Sequence, residues 1–197
     1  MLPGVTLGIF LTLQAQEPTP TPPPAASETA PPAEAGARTK DGHHLKEPQK
    51  TKNVPPKWPD NARRAGLTGP VVIECVIGLD GRVEGMKVVS GYSSLAEAAK
   101  EAVGKWRYTP TELDGKVVPV IMTVTVNFRL KAAPSRNDLF SSLADSDPEI
   151  RWAAIHWLGR YRPVTGEQKT AFTHALQDSS ELVRKAAQEA LQKLETQ

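Results

Sequence analysis

GKWRYTPTELDGKVVPVIMTVTVNFRL, residues 104–130, decides how this chain is read. It joins a helix end at Gly104, Lys105 and Trp106 to a Thr-Pro turn, a glycine-containing loop and a long strand over 117–130. In that strand Val120, Met122, Val124, Val126, Phe128 and Leu130 alternate with Ile121, Thr123, Thr125, Asn127 and Arg129. Period two with one apolar face is the pattern of a half-buried strand. Pro119 has no N–H for a ladder, so pairing has to begin after it. The stretch offers no catalytic chemistry. At a sheet edge, the free backbone groups of such a strand form a docking surface for an extended peptide. The candidate docking edge is Val120, Ile121, Met122, Thr123, Val124, Thr125, Val126 and Asn127. A second reading stays open at this point, a terminal strand covered by its neighbour or by the helices that follow.

Upstream, DNARRA (60–65) predicts a short helix that opens after Pro59 and stops at Gly66. A strand over 70–78 follows, with Val71, Ile73, Cys75 and Ile77 turned inward. Leu79-Asp80-Gly81 is a turn built on the strong hairpin dipeptide Asp-Gly. A second strand spans 82–90, where Gly85 marks a bulge. Leu95, Ala98, Ala99, Ala102, Val103 and Trp106 then fall on one helical stripe. Ser94 is the expected N-cap, with Glu97 completing a capping box. Helix, strand, strand, helix, strand is an α+β two-layer domain. Trp106 belongs in its core, and Arg107 braces the helix C-terminus, where a cation is favoured. Trp58-Pro59 marks the entry of the chain into the domain. It reads as a hydrophobic staple for the short helix, with a partner contact as the alternative.

Downstream of a short linker at 131–134 the pattern turns all-helical and repeats with an offset of 33 residues. Asp145 matches Asp178, Ser146 Ser179, Ile150 Val183, Arg151 Arg184, Ala153-Ala154 Ala186-Ala187, and Leu158 Leu191. Each unit reads as helix, Asp-Ser turn, helix. Trp152, Ile155, Trp157 and Leu158 are expected in the core of these repeats.

The rest of the chain narrows the class of function. Twelve of the 18 prolines lie within residues 1–59. Residues 17–57 hold almost no large apolar side chains and cannot offset their own ordering entropy, so they are expected to be a disordered Pro-rich linker. Extended as polyproline II at ~3.1 Å per residue, that stretch reaches roughly 130 Å. Residues 1–16 carry an apolar run too short for a bilayer, which takes about 20 residues. They read as a secretory signal, as an anchor truncated at its start, or as an apolar tail on a cytoplasmic protein; either of the first two puts the remainder outside the cytoplasm. Acidic and basic residues balance to +2 overall and locally, so nucleic acid is excluded as a partner. The single cysteine, Cys75, rules out an internal disulfide and reads as a buried hydrophobe. The adjacent His43 and His44 lack further ligands, so no metal site is expected. Nucleophile motifs, paired carboxylates and phosphate loops are absent, so neither catalysis nor a cofactor is expected.

Residues 58–130 resemble the C-terminal domain of the TonB family of energy transducers. The resemblance rests on Trp58-Pro59, Ala62, Gly66, Gly69, Asp80-Gly81-Arg82-Val83, Val88 and Ser90. It continues through Leu95, Ala98, Ala102-Val103, the specific run Trp106-Arg107-Tyr108-Thr109-Pro110, then Gly115, Val118-Pro119-Val120 and Phe128. The family usually has Tyr where this chain has Trp58, and often Asp where it has Ala96. Residues 135–197 are similar to two HEAT-type repeats. The resemblance implies a TonB/TolA C-terminal-like α-β-β-α-β domain followed by a small all-α helical unit. It further implies a periplasmic or cell-envelope protein. Such a protein binds a short peptide of an outer-membrane TonB-dependent transporter by strand addition and couples it to energised transmembrane transport. An inner-membrane motor complex is the implied second partner if an anchor exists, and the HEAT repeats imply a further protein partner. The alternative is a soluble periplasmic scaffold or adaptor without energy transduction. Neither reading makes the chain an enzyme.

Overall fold

A computed structural model of the protein describes residues 44–195. The signal-like segment 1–16, His43 and most of the Pro-rich stretch lie outside them. The chain enters through two short strands, β1 (Leu45–Lys46) and β2 (Lys50–Lys52), and reaches helix α1 (Asp60–Ala65). Gly66 closes α1 in the left-handed region at φ 74°, the usual helix stop where a side chain would be strained. Strands β3 (Gly69–Ile77) and β4 (Val83–Ser90) follow, then α2 (Ser93–Gly104), β5 (Arg107–Tyr108), β6 (Thr111–Leu113), β7 (Lys116–Val118) and β8 (Val120–Phe128). The strand expected over 117–130 is thus two strands separated at Pro119, the residue that cannot donate to a ladder. The main sheet is antiparallel with order β4-β3-β8.

One face of this sheet makes the core. Val71, Ile73, Cys75 and Ile77 are fully buried, and Val124, Val126 and Phe128 nearly so, against Leu95, Ala99, Val103 and Trp106 of the α2 segment. Each such aliphatic side chain contributes about 1.5–3 kcal/mol through burial. Burial pushes the Cys75 thiol up, in keeping with an inert core residue. Gly81 in the β3–β4 turn has φ 77°, and a side chain there would strike the Tyr108 backbone. The Tyr108 N–H donates to the Gly81 carbonyl at 2.9 Å.

Residues 44–54 are not a linker. β1 pairs with β6 (Leu45 opposite Leu113), β6 with β7, and β2 with β5 (Lys50 opposite Tyr108). The Lys50 ammonium stands 3.2 Å from the centroid of the Trp106 ring, and Trp106 Nε1 donates to the Val54 carbonyl at 2.8 Å. The composition of this stretch is polar, but Trp106 and Tyr108 supply the surface and the open strand that hold it. Arg107 braces the end of α2 as expected, donating to the Gly104 and Trp106 carbonyls.

Four helices complete the chain: α3 (Arg136–Ser142), α4 (Pro148–Leu158), α5 (Gly166–Ala175) and α6 (Glu181–Glu195). The 33-residue repeat has a structural cause. Arg151 Nη1 donates to the Asp145 and Ser146 carbonyls at 2.8 and 3.0 Å, and Arg184 does the same to Asp178 and Ser179 at 2.7 and 2.9 Å. Each arginine ties down the turn ahead of its own helix. Arg151 also grips the Asp178 carboxylate with two bonds, 2.8 and 2.7 Å, which latches one repeat to the next. That bond holds the Asp178 carboxyl below its ordinary range.

The helical unit packs on α1 and α2. The capping box expected at Ser94 and Glu97 does not form. α2 starts at Ser93, its N-cap Tyr92 offers no side-chain acceptor, and Ser94 lies inside the first turn. Its hydroxyl oxygen lies 2.6 Å from a carboxylate oxygen of Asp147 and of Glu149 in the helical unit, and its single proton is donated to one of them at a time. The Ser93 and Ser94 backbone N–H groups donate to the two Glu149 oxygens at 3.1 and 3.0 Å. A carboxylate from another element thus supplies the cap. Ile155 and Leu158 are buried in the repeat core as expected, and Trp152 and Trp157 pack against it half-buried. Trp152 stacks on Tyr92 with centroids 5.6 Å apart, and Trp157 Nε1 donates to the Gly66 carbonyl at 2.9 Å. Both bridge to the α+β domain. A Cβ on Gly66 would lie 2.3 Å from Trp157 Nε1. Gly66→Ala is therefore expected to lower stability by roughly 1–3 kcal/mol, from left-handed strain and the displaced indole. Urea unfolding followed by far-ultraviolet circular dichroism checks it, and an unchanged midpoint would overturn this account of the joint.

Candidate functional site

β8 meets β3 along its whole length, from Val120 opposite Ile77 to Phe128 opposite Gly69, without a register shift. Its other edge has no strand partner among the described residues. Which backbone groups face that free edge follows from Pro70. Proline has no N–H to give, and the Pro70 carbonyl is turned toward the end of β4, where a side chain on Gly91 would meet it at 2.8 Å. Pro70 therefore directs its backbone away from β8. Its partner Asn127 forms a wide pair and turns its own N–H and C=O outward. Because the register is unbroken, the same holds for Thr125, Thr123 and Ile121, while Val120, Met122, Val124, Val126 and Phe128 exchange their bonds with β3.

The structure thus divides the eight residues of the expected edge into two sets. Val124 and Val126 are buried, and Val120 and Met122 half-buried, as the inner anchor. Ile121, Thr123, Thr125 and Asn127 expose their side chains and present the open backbone. Ile121 is 69% exposed, a high value for a large apolar side chain. With half-buried Val76 directly opposite, it offers an apolar spot on an otherwise polar face. The helical unit lies on the helix layer, so it does not pair with this edge.

Trp58 and Pro59 sit apart from the outward set. Pro59 precedes α1, and Trp58 is half-buried with its ring edge-on to Phe128, centroids 5.8 Å apart. Sequence reasoning missed two features of the α+β domain. One is the strap at 44–54, hidden by its polar composition. The other is a set of cations, Arg63, Arg64, Arg129 and Lys131, that line one groove together with Trp58. Arg129 continues the odd-numbered series of β8, which was the available signal. Among the described residues no cluster of His, Cys, Asp or Glu is arranged to hold a metal, and no helix is long and apolar enough to cross a membrane.

Comparison with known proteins finds a match to each of two segments. Residues 54–130 match the family described as Gram-negative bacterial TonB protein C-terminal, and residues 126–197 match HEAT repeats. Protein TonB of Vibrio cholerae serotype O1 is 32% identical over 80 residues, which cover 40% of this chain and 32% of that protein. Protein TonB of Xanthomonas campestris pv. campestris, strain B100, is 34% identical over 83 residues, covering 41% and 37%. The chain spans about a third of the length of these relatives. The solution NMR structure of the Pseudomonas aeruginosa TonB CTD aligns at 25% identity and a TM-score of 0.37, covering 45% of this chain and 88% of that one.

The parity assigned to β8 makes a measurable pattern. Amide hydrogen exchange is expected to alternate along the strand. Ile121, Thr123, Thr125 and Asn127 should exchange fast, and Met122, Val124, Val126 and Phe128 slowly. Uniform protection would mean that the edge is covered.

Proposed function

We propose that this chain, which carries a TonB C-terminal domain followed by HEAT repeats, works in the periplasm as a TonB-like protein. It takes a short extended peptide of an outer-membrane transporter onto the free edge of β8 and couples it to energised transport across the outer membrane. One observation carries this reading: an edge strand anchored to β3 on one side turns the N–H and C=O groups of four consecutive odd positions to the other. An added strand pairs with those groups for affinity, and the exposed side chains on either side set register. Coupling further implies a membrane anchor and a motor complex in the inner membrane.

A second reading has its own support. The HEAT unit is fixed to the TonB domain by Glu149 and Trp157, and it leaves the edge open. An adaptor that holds a peptide on one face and a further protein on its repeats needs no more than that. A mature protein released into the periplasm in soluble form would favour the adaptor over the transducer.

Thr125→Pro tests the docking itself. It removes an outward N–H and leaves the ladder to β3 intact, because edge strands tolerate proline where the N–H faces solvent. Circular dichroism is expected to show a retained fold, with loss of binding to N-terminal peptides of outer-membrane transporters. Val124→Pro, which removes a bond to β3, should cost the fold as well. Unchanged peptide binding by a folded Thr125→Pro protein would sink the edge-pairing reading.

A further inference from the structure

The strap at 44–54 is itself an added strand. It runs antiparallel along 107–114, from Leu45 opposite Leu113 to Lys50 opposite Tyr108. At its outer end the Asp114 N–H donates to the His44 carbonyl and the His44 N–H to the Asp114 carboxylate, both at 3.0 Å. Lys46 then meets Glu112 at 3.1 Å. The Thr109 N–H donates to the Gln49 carbonyl at 2.8 Å, and the Lys50 ammonium covers the Trp106 ring. No residue of the strap is buried: Leu45, Pro48 and Val54 are half-buried and the others exposed. β8, by contrast, is anchored by buried Val124, Val126 and Phe128. A segment held by exposed hydrogen bonds and little apolar contact opens at lower cost than the core it rests on.

The connectivity decides how the strap opens under load. The chain arrives at His44, and the partner strand leaves at Asp114 into β7 and β8. Both points lie at the same end of an antiparallel pair. A pull between them separates the contacts one after another from the His44–Asp114 end and never loads them all together.

We propose that the strap is a tension-released clip. A pull on the chain ahead of His44 peels it from 107–114, while the β4-β3-β8 sheet and the peptide on its edge stay in place. Release frees eleven residues as slack, roughly 36 Å of chain at about 3.3 Å per residue. The docked strand is thereby spared the first part of the pull. This rests on the transducer reading, which supplies the pull, but the clip itself is measured without a peptide.

The test stretches the full chain in an optical trap between handles at its N-terminus and at Thr123→Cys in β8. Cys75 is buried and does not take the second handle. A small reversible step is expected at a force below that which unfolds the sheet. Lys50→Gln should bring this step to lower force and leave the unfolding force of the sheet unchanged. Without load, the Thr109 and Asp114 amides are expected to exchange at least about tenfold faster than those of β3. Lys50→Gln should speed Thr109 by a further factor of about two to five, the contribution of an exposed cation–π contact. Strap and sheet opening in a single step would overturn the clip, as would a low-force step that Lys50→Gln does not move. Peptide binding to the same folded chain judges the docking separately. If transporter peptides bind and no low-force step appears, strand docking stands and the clip is wrong. If the step appears and no peptide binds, the clip stands and the docking reading falls.

Discussion

The carboxylate of Glu149 is the contact on which the arrangement of this molecule turns. A helix begins with backbone N–H groups that have no partner inside it. In α2 neither Tyr92 nor the first-turn serines answer them, and Glu149 does so from a different element, with both oxygens. A charged acceptor at a helix N-terminus satisfies donors and opposes the helix dipole together. Trp157 makes the reciprocal contact by donating to Gly66 at the end of α1. Ile150 and Ala153 of α4 join the core under the sheet. The two halves therefore meet as packed elements with matched polar groups.

That joint explains why the edge of β8 stays open. The helical unit uses the outer side of α1 and α2, so the sheet keeps its free flank. It also helps to explain how two repeats suffice where solenoids usually need three or more. The first repeat is closed by the helices of the α+β domain, with Asn61 reaching Asp145 at 3.4 Å. The last helix, α6, turns Lys185, Gln188, Glu189 and Gln192 to solvent. Gln188 holds the place in the repeat that buried Ile155 fills one unit earlier. A polar outer face of this kind is what a terminal repeat needs.

Much of this was legible in residue patterns because the relevant forces are local. Period two in β3 and β8 and the apolar stripe of α2 follow from side-chain geometry alone, and all three turn the expected face inward, with Ala98, Val120 and Met122 half-buried and most of the others buried. The 33-residue repeat showed Arg151 and Arg184 before their carbonyl partners were known. The strap at 44–54 was not legible, since its strands are stabilised by Trp106, Tyr108 and β6 and not by their own composition. Nor was the cap of α2: a serine followed by Glu97 satisfies the local rule, but a better acceptor arrives from a distant position. At the edge, the alternation separated the two faces, while the direction of each N–H needed the register against Pro70.

The remote cap also imposes an order in time. The first residue of α2 leaves the ribosome 56 residues ahead of the carboxylate that completes it. The sheet can close once Phe128 has been made. Until the fourth helix follows, the start of α2 and the Gly66 carbonyl are answered only by water. The α+β domain is thus finished by a segment that a boundary drawn in sequence would assign to its neighbour.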